Sequence, residues 1–184
     1  VREVIGKMRV IGLAGWSGAG KTNLLTRVIP ELRRRDISVS TIKHAHHKFD
    51  IDSPGKDSYQ HRLAGAQEVL VASANRWALM HELRDEPEWS LRDLISKLGN
   101  ADIVIVEGFK SGAHPKIEVY RSANGKPFLY PNDRDIVAIA SDLPIAGTRL
   151  PVAQLDDTAT IADLIMQFAV DAGALFDSTR LDIG

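Results

Sequence analysis

The sequence predicts an α/β fold built on a mostly parallel sheet, with some antiparallel strands. Three observations point there. Short apolar, β-branched segments alternate with segments of helical periodicity. A glycine-rich turn joins the first of each kind. The chain of 184 residues is 44% hydrophobic and carries a formal net charge of -1, a size and composition suited to one domain with a substantial core. The same figures narrow the function. With no cysteine, disulfides, thiolate zinc sites, iron–sulfur ligation and a cysteine nucleophile are excluded. A near-neutral charge argues against a chain-wide nucleic-acid binder. The apolar runs are far shorter than the roughly 18 residues that span a bilayer. The expectation is a soluble cytoplasmic protein with no membrane association and no secretory leader.

Each element follows from its own pattern. Residues 8–14 (MRVIGLA) form an apolar run next to glycine, read as a buried strand. Residues 21–35 place Leu24, Leu25, Val28, Ile29 and Leu32 at helical spacing, with Pro30 expected to kink the helix. Residues 38–42 alternate and read as a strand; 57–66 suit a short helix. Residues 68–73 and 76–81 read as paired strands turning at Ala74-Asn75, and Ser90 is a plausible cap for a helix to Leu98. Residues 102–106 (DIVIV) and 136–141 (IVAIAS) read as buried strands, 116–121 as an alternating one and 151–155 as a short one. Residues 158–170 form an amphipathic helix capped by Asp157 or Thr158. One domain over 1–171 is expected, followed by a loosely held tail, 172–184. Charge is uneven along this order: residues 1–48 balance to +7, 49–134 to -2 and 135–184 to -6. The basic first part suits an anion or acidic partner, or simply a solvated face.

The strongest chemical signal is Gly15-Trp16-Ser17-Gly18-Ala19-Gly20-Lys21-Thr22, which fits G-x-x-x-x-G-K-[ST]. Gly15, Gly18 and Gly20 allow backbone turns that aim N–H groups at a phosphate. The next helix adds its positive N-terminal end, Lys21 a point charge for the β- and γ-phosphates, and Thr22 a hard oxygen for Mg²⁺. Trp16, Ser17, Ala19 and Asn23 complete the predicted nucleotide contacts. The fold expectation thereby sharpens to a P-loop NTPase, a three-layer α/β/α sandwich. The strand of residues 102–106 runs into Glu107, placing a carboxylate where the metal side of such a site needs one. Lys21 and Glu107 are the candidate catalytic pair, Thr22 and Glu107 the candidate metal ligands.

A second polar segment, residues 43–52, follows a strand and should face the ligand crevice. His44, His46, His47, Asp50 and Asp52 could contact phosphates, form a switch reading the γ-phosphate, bind a transition metal, or stay solvated. Lys56 and Asp57 extend this run.

Taken together, GWSGAGKTNLL, KHAHHKFDIDSPGKDSYQHRLAGA, DIVIVEGFK and IVAIASD resemble the molybdopterin-guanine dinucleotide biosynthesis protein B (MobB) family, in order, over about residues 9–168. The glycine motif is shared by many NTPases; the histidine–aspartate–PGKDS segment is the specific part. The resemblance implies GTP as ligand with Mg²⁺, weak GTPase activity and a homodimer. It also implies an accessory role beside a MobA-like molybdenum cofactor guanylyltransferase, with molybdopterin as a further candidate ligand. By the same resemblance, 15–22 hold the phosphates, Glu107 is the Mg²⁺-side acid, and His44, His46, His47, Asp50 and Asp52 lie over the γ-phosphate. Ala45 and Lys48 depart from the pattern, which weakens a metal cluster. The N-K-x-D guanine motif is absent; Asp142 is the candidate base reader, although aspartate there equally suits a turn. A small-molecule kinase would need clustered arginines, and Arg76, Arg84 and Arg92 are scattered. A nucleotide-binding adaptor without turnover differs from a slow GTPase only in rate. The sequence reveals no arginine finger in cis, so turnover well below about 1 s⁻¹ is expected.

Overall fold

In the computed structural model, residues 8–45, 49–109 and 112–176 are described. They group into two compact units, 1–44 with 91–184, and 45–90.

The first unit is built on a sheet in the order β2-β5-β1-β6-β7-β8, every neighbouring pair parallel. The strands are β1 (Arg9–Ala14), β2 (Val39–Lys43), β5 (Ile103–Glu107), β6 (Lys116–Tyr120), β7 (Ile136–Ser141) and β8 (Val152–Gln154). Their side chains alternate between two apolar layers. On one face Ile11, Leu13, Ile103, Ile105, Ile117 and Val119 pack against two helices, α1 (Lys21–Arg34) and α4 (Thr158–Phe168). On the other, Val10, Val104 and Val106 meet α3 (Leu91–Ser96) and α5 (Ala172–Phe176). The mostly parallel sheet with helices on both sides is the architecture the sequence predicts.

Three details differ from the sequence reading. The α1 helix runs unbroken through Pro30. Pro30 and Thr26, the residue whose carbonyl the proline cannot serve, are both exposed, so water can take the freed acceptor. A two-residue strand, β9 (Val170–Asp171), pairs antiparallel with Arg9 and Val10 of β1. Ala172–Phe176, assigned by sequence to the tail, is helical, with Ala172 buried and Leu175 and Phe176 packed on the second layer.

In the second unit, α2 (Asp57–Leu63) precedes an antiparallel hairpin of β3 (Glu68–Ala72) and β4 (Trp77–His81). Leu70 faces Leu79 and Ala72 faces Trp77 on one side of the ribbon. These large apolar groups are exposed, Leu70 at 61% and Trp77 at 66%. Only Val69 of the hairpin is buried.

Candidate nucleotide-binding site

All the parallel strands of the first unit point their C-terminal ends the same way, and four of them deliver chemistry there. From β1 the chain enters the glycine turn. From β5 it delivers Glu107, from β6 Arg121, and from β7 Asp142. Because β1 lies between β5 and β6, Glu107 and Arg121 flank the turn on opposite sides.

The turn requires its glycines. Gly15 has φ +146°, and a Cβ there would lie 2.6 Å from the Val119 carbonyl oxygen of the neighbouring strand. Gly20 has φ +93° and forms the N-cap of α1 in a left-handed conformation, with no side-chain hydrogen bond to the helix and no acid in its first turn. The first amides of a helix have no intrahelical acceptor. In α1 they are therefore left facing outward beside a positive helix end, a cradle suited to an anion. The Lys21 ammonium reaches back across the turn, donating to the carbonyls of Gly15 at 2.8 Å and Trp16 at 3.1 Å. Thr22 and Asn23 are exposed at the mouth. Glu107 is half-buried beside Leu13, its register partner in β1, so its carboxylate and the Thr22 hydroxyl offer the oxygen donors a Mg²⁺ ion prefers.

A segment that sequence reasoning passed over clasps this turn. Asn124 Nδ2 donates to the Ser17 carbonyl at 2.9 Å. The Trp16 indole donates to Pro127 O at 2.8 Å, and Lys126 lies 5.9 Å from its ring. The Arg121 guanidinium lies against Gly20. The available signal was position: an arginine immediately after an alternating strand stands at the ligand end of a parallel sheet.

The remaining predicted residues divide. His44 follows β2, donates its main-chain N–H to the Glu107 carbonyl at 2.8 Å and packs its ring, tilted, 4.7 Å from Phe109. His46 and His47 lie outside the described residues. Asp50, Asp52, Lys56 and Asp57 belong to the second unit. There Arg62 binds Asp50 at 2.8 Å and Glu82 at 2.6 Å, with Asp52 at 3.5 Å. Asp52 also accepts from Ser53 N and Ser58 Oγ. These acids hold their own loop together, and Lys56 and Asp57 open α2. No cluster of three or more metal-ligating side chains occurs among the described residues. Asp142 accepts from Ser122 N at 2.8 Å and Ser122 Oγ at 2.8 Å. Burial opposes its ionisation, but these bonds prevail and hold the carboxyl below its ordinary range. The turn role is thus realised in its geometry.

Behind the turn, β6 carries buried polar groups. Lys116 is paired with Asp133 at 3.4 Å and Asp135 at 3.5 Å. Glu118 accepts from the amides of Leu129 and Tyr130, while burial pushes its carboxyl up. His114, 2% exposed, is wedged beside Gly12 and Gly112, and burial, helped by Lys116, holds its imidazole down to about 4.

A parallel α/β sheet whose first strand and helix are joined by this cradle is a P-loop NTPase-like fold. Residues 10–142 match the family described as MobB, molybdopterin guanine dinucleotide synthesis protein B. Two proteins named molybdopterin-guanine dinucleotide biosynthesis adapter protein are similar to the chain. That of Escherichia coli (strain K12) is 44% identical over 164 residues, 86% of this chain and 92% of that one. That of Haemophilus influenzae is 38% identical over 159 residues, 85% of this chain and 86% of that one. A crystal structure of molybdopterin-guanine biosynthesis protein B superposes with TM-score 0.66 at 27% identity, covering 86% of this chain and 98% of that one. The Bacillus subtilis MobB structure, at 23% identity, shares the fold with TM-score 0.67, covering 88% and 98%. The chain belongs to the MobB family. No helix among the described residues is long and apolar enough to cross a membrane.

Proposed function

We propose that this chain is a cytoplasmic GTP-binding adapter with slow GTPase turnover. In this reading it acts in molybdenum cofactor maturation beside a MobA-like guanylyltransferase, with molybdopterin as a candidate second ligand. The observation that carries the reading is the uncapped α1 N-terminus, with Gly20 left-handed, no acid in the first turn and Lys21 folded over the loop. The relatives named as adapter proteins in molybdopterin-guanine dinucleotide biosynthesis supply the context.

In this site residues 15–23 wrap the phosphates and Lys21 neutralises them. Thr22 and Glu107 would hold Mg²⁺, which supplies charge neutralisation across the β- and γ-phosphates. Glu107 and His44 line the distal-phosphate side, and Asp142 stands on the base side. Titrating Trp16 fluorescence with Mg·GTP tests the reading. A saturable change is expected, because the indole is tied to Pro127 across the loop. Lys21→Ala should abolish it at GTP concentrations that just saturate the wild type; a full response there would refute the assignment. Recovery of the γ-phosphate on a small acceptor, rather than as free phosphate, would favour a kinase instead.

The homodimer is proposed through the β3–β4 hairpin. A two-stranded ribbon is marginal in water alone, and an apolar face of Leu70, Leu79, Ala72 and Trp77 suits a second copy of itself. Leu79→Glu should yield a monomer by light scattering; an unchanged mass would place the interface elsewhere.

A further inference from the structure

We infer that Arg121 is a phosphate ligand on the flank of the cradle opposite the metal side, binding the nucleoside-proximal phosphates. This inference rests on the nucleotide-binding reading above.

The position of the guanidinium is fixed on both sides. Arg121 continues β6 in extended conformation (φ -131°, ψ 121°) and leads into a 3-10 turn, Ser122–Asn124. Ser122 is held by the Asp142 carboxylate, and Asn124 by the Ser17 carbonyl. The side chain then turns the Nε–Nη2 edge of its guanidinium toward the glycine turn. A Cβ built on Gly20 would meet Arg121 Nη2 at 3.4 Å, Nε at 3.6 Å and Cζ at 4.0 Å. Gly20 is needed for its left-handed backbone, and the guanidinium sits in van der Waals reach of it.

Arg121 is half-buried, yet among the described residues no carboxylate lies within ion-pair distance of it. Asp142, held by Ser122, acts on it electrostatically from beyond ion-pair distance. A guanidinium that makes no ion pair among the described residues offers a fork of five donors, which matches phosphate geometry.

Strand order says which phosphate. Glu107, which would hold the metal, ends β5 on one side of β1. Arg121 comes from β6, on the other side of β1, between the cradle and the β7 end that carries Asp142 on the proposed base side. The phosphate group between base and cradle is the proximal one. Arg121 therefore serves di- and triphosphate alike.

Calorimetric titration of GTP and GDP into wild type, Arg121→Ala and Arg121→Lys, with and without Mg²⁺, tests this, with circular dichroism melts to verify folding. Arg121→Ala should weaken GTP and GDP by the same factor, about tenfold or more, with and without Mg²⁺. Arg121→Lys should recover part of the loss. Loss of GTP binding or hydrolysis with GDP affinity intact would make Arg121 a γ-phosphate group and overturn the inference. Unchanged affinity for both nucleotides would overturn it too. A wild-type chain that binds neither nucleotide would instead sink the underlying nucleotide reading, before any variant is compared.

Discussion

Helices α1 and α4 pack on the same face of the sheet, and their N-termini are finished in opposite ways. At α4, Asp157 accepts from the Thr160 amide at 2.9 Å and from its hydroxyl at 2.7 Å, so the helix closes its own first turn. At α1 the N-cap is a glycine, and no side chain or first-turn acid takes the free amides. Both helices face the same demand for acceptors. One meets it within the chain; under the proposed function the other leaves it to a ligand.

Four experiments test this contrast. Gly15→Ala should have the largest effect. Its methyl would collide with the Val119 carbonyl at a backbone angle that side chains rarely adopt, destabilising the fold by about 4 kcal/mol in urea unfolding and disordering the cradle. Acid titration comes next and must be dissected before it can report on the α4 cap. The unfolded His114 imidazole takes a proton near pH 6.5, while the folded one resists until about 4. Its contribution is therefore full above about pH 6.5 and lost on descent toward 4, about 3 kcal/mol in all. His114→Leu should flatten that limb of the stability curve. Lys21→Ala should weaken GTP binding by roughly 100-fold in calorimetry while leaving the melting temperature close to wild type, since the lysine serves the ligand. Asp157→Ala should do the reverse at smaller scale, lowering the melting temperature by about 3 °C without changing nucleotide affinity. Hydrogen bonds from Thr160 hold the Asp157 carboxyl below its ordinary range, so its stabilisation is present above that range and lost only at strongly acid pH, below the His114 limb. If Asp157→Ala weakened GTP binding as much as Lys21→Ala, the contrast between the two helix ends would be void.

Much of the frame was legible in the residues. Strand β7 falls where the IVAIAS run predicts, and β1, β5 and the hairpin within a residue or so. The Asp157 cap and the motif around Lys21 depend on local chemistry, in which a few neighbouring side chains and backbone angles settle the outcome. Pro30 misled because its cost depends on whether its side of the helix meets water, and here it does. β9 is two residues long, too short for any periodicity, and exists because the edge of β1 is open at Arg9 and Val10.

The βα order, the glycine turn, its lysine and the acid at the end of β5 all follow from periodicity and spacing within one stretch of chain. The partners of groups far apart in sequence come from the assembled fold. It set Arg121 against Gly20, tied Asn124 to Ser17, gave Asp142 to Ser122 rather than leaving it open, and buried Lys116 and Glu118 on a strand whose alternation suggests a wet face. The physical reason is that burial and pairing depend on what the rest of the chain lays over a residue. Strand order, which brings β6 beside β1 from a hundred residues away, is written in no local pattern.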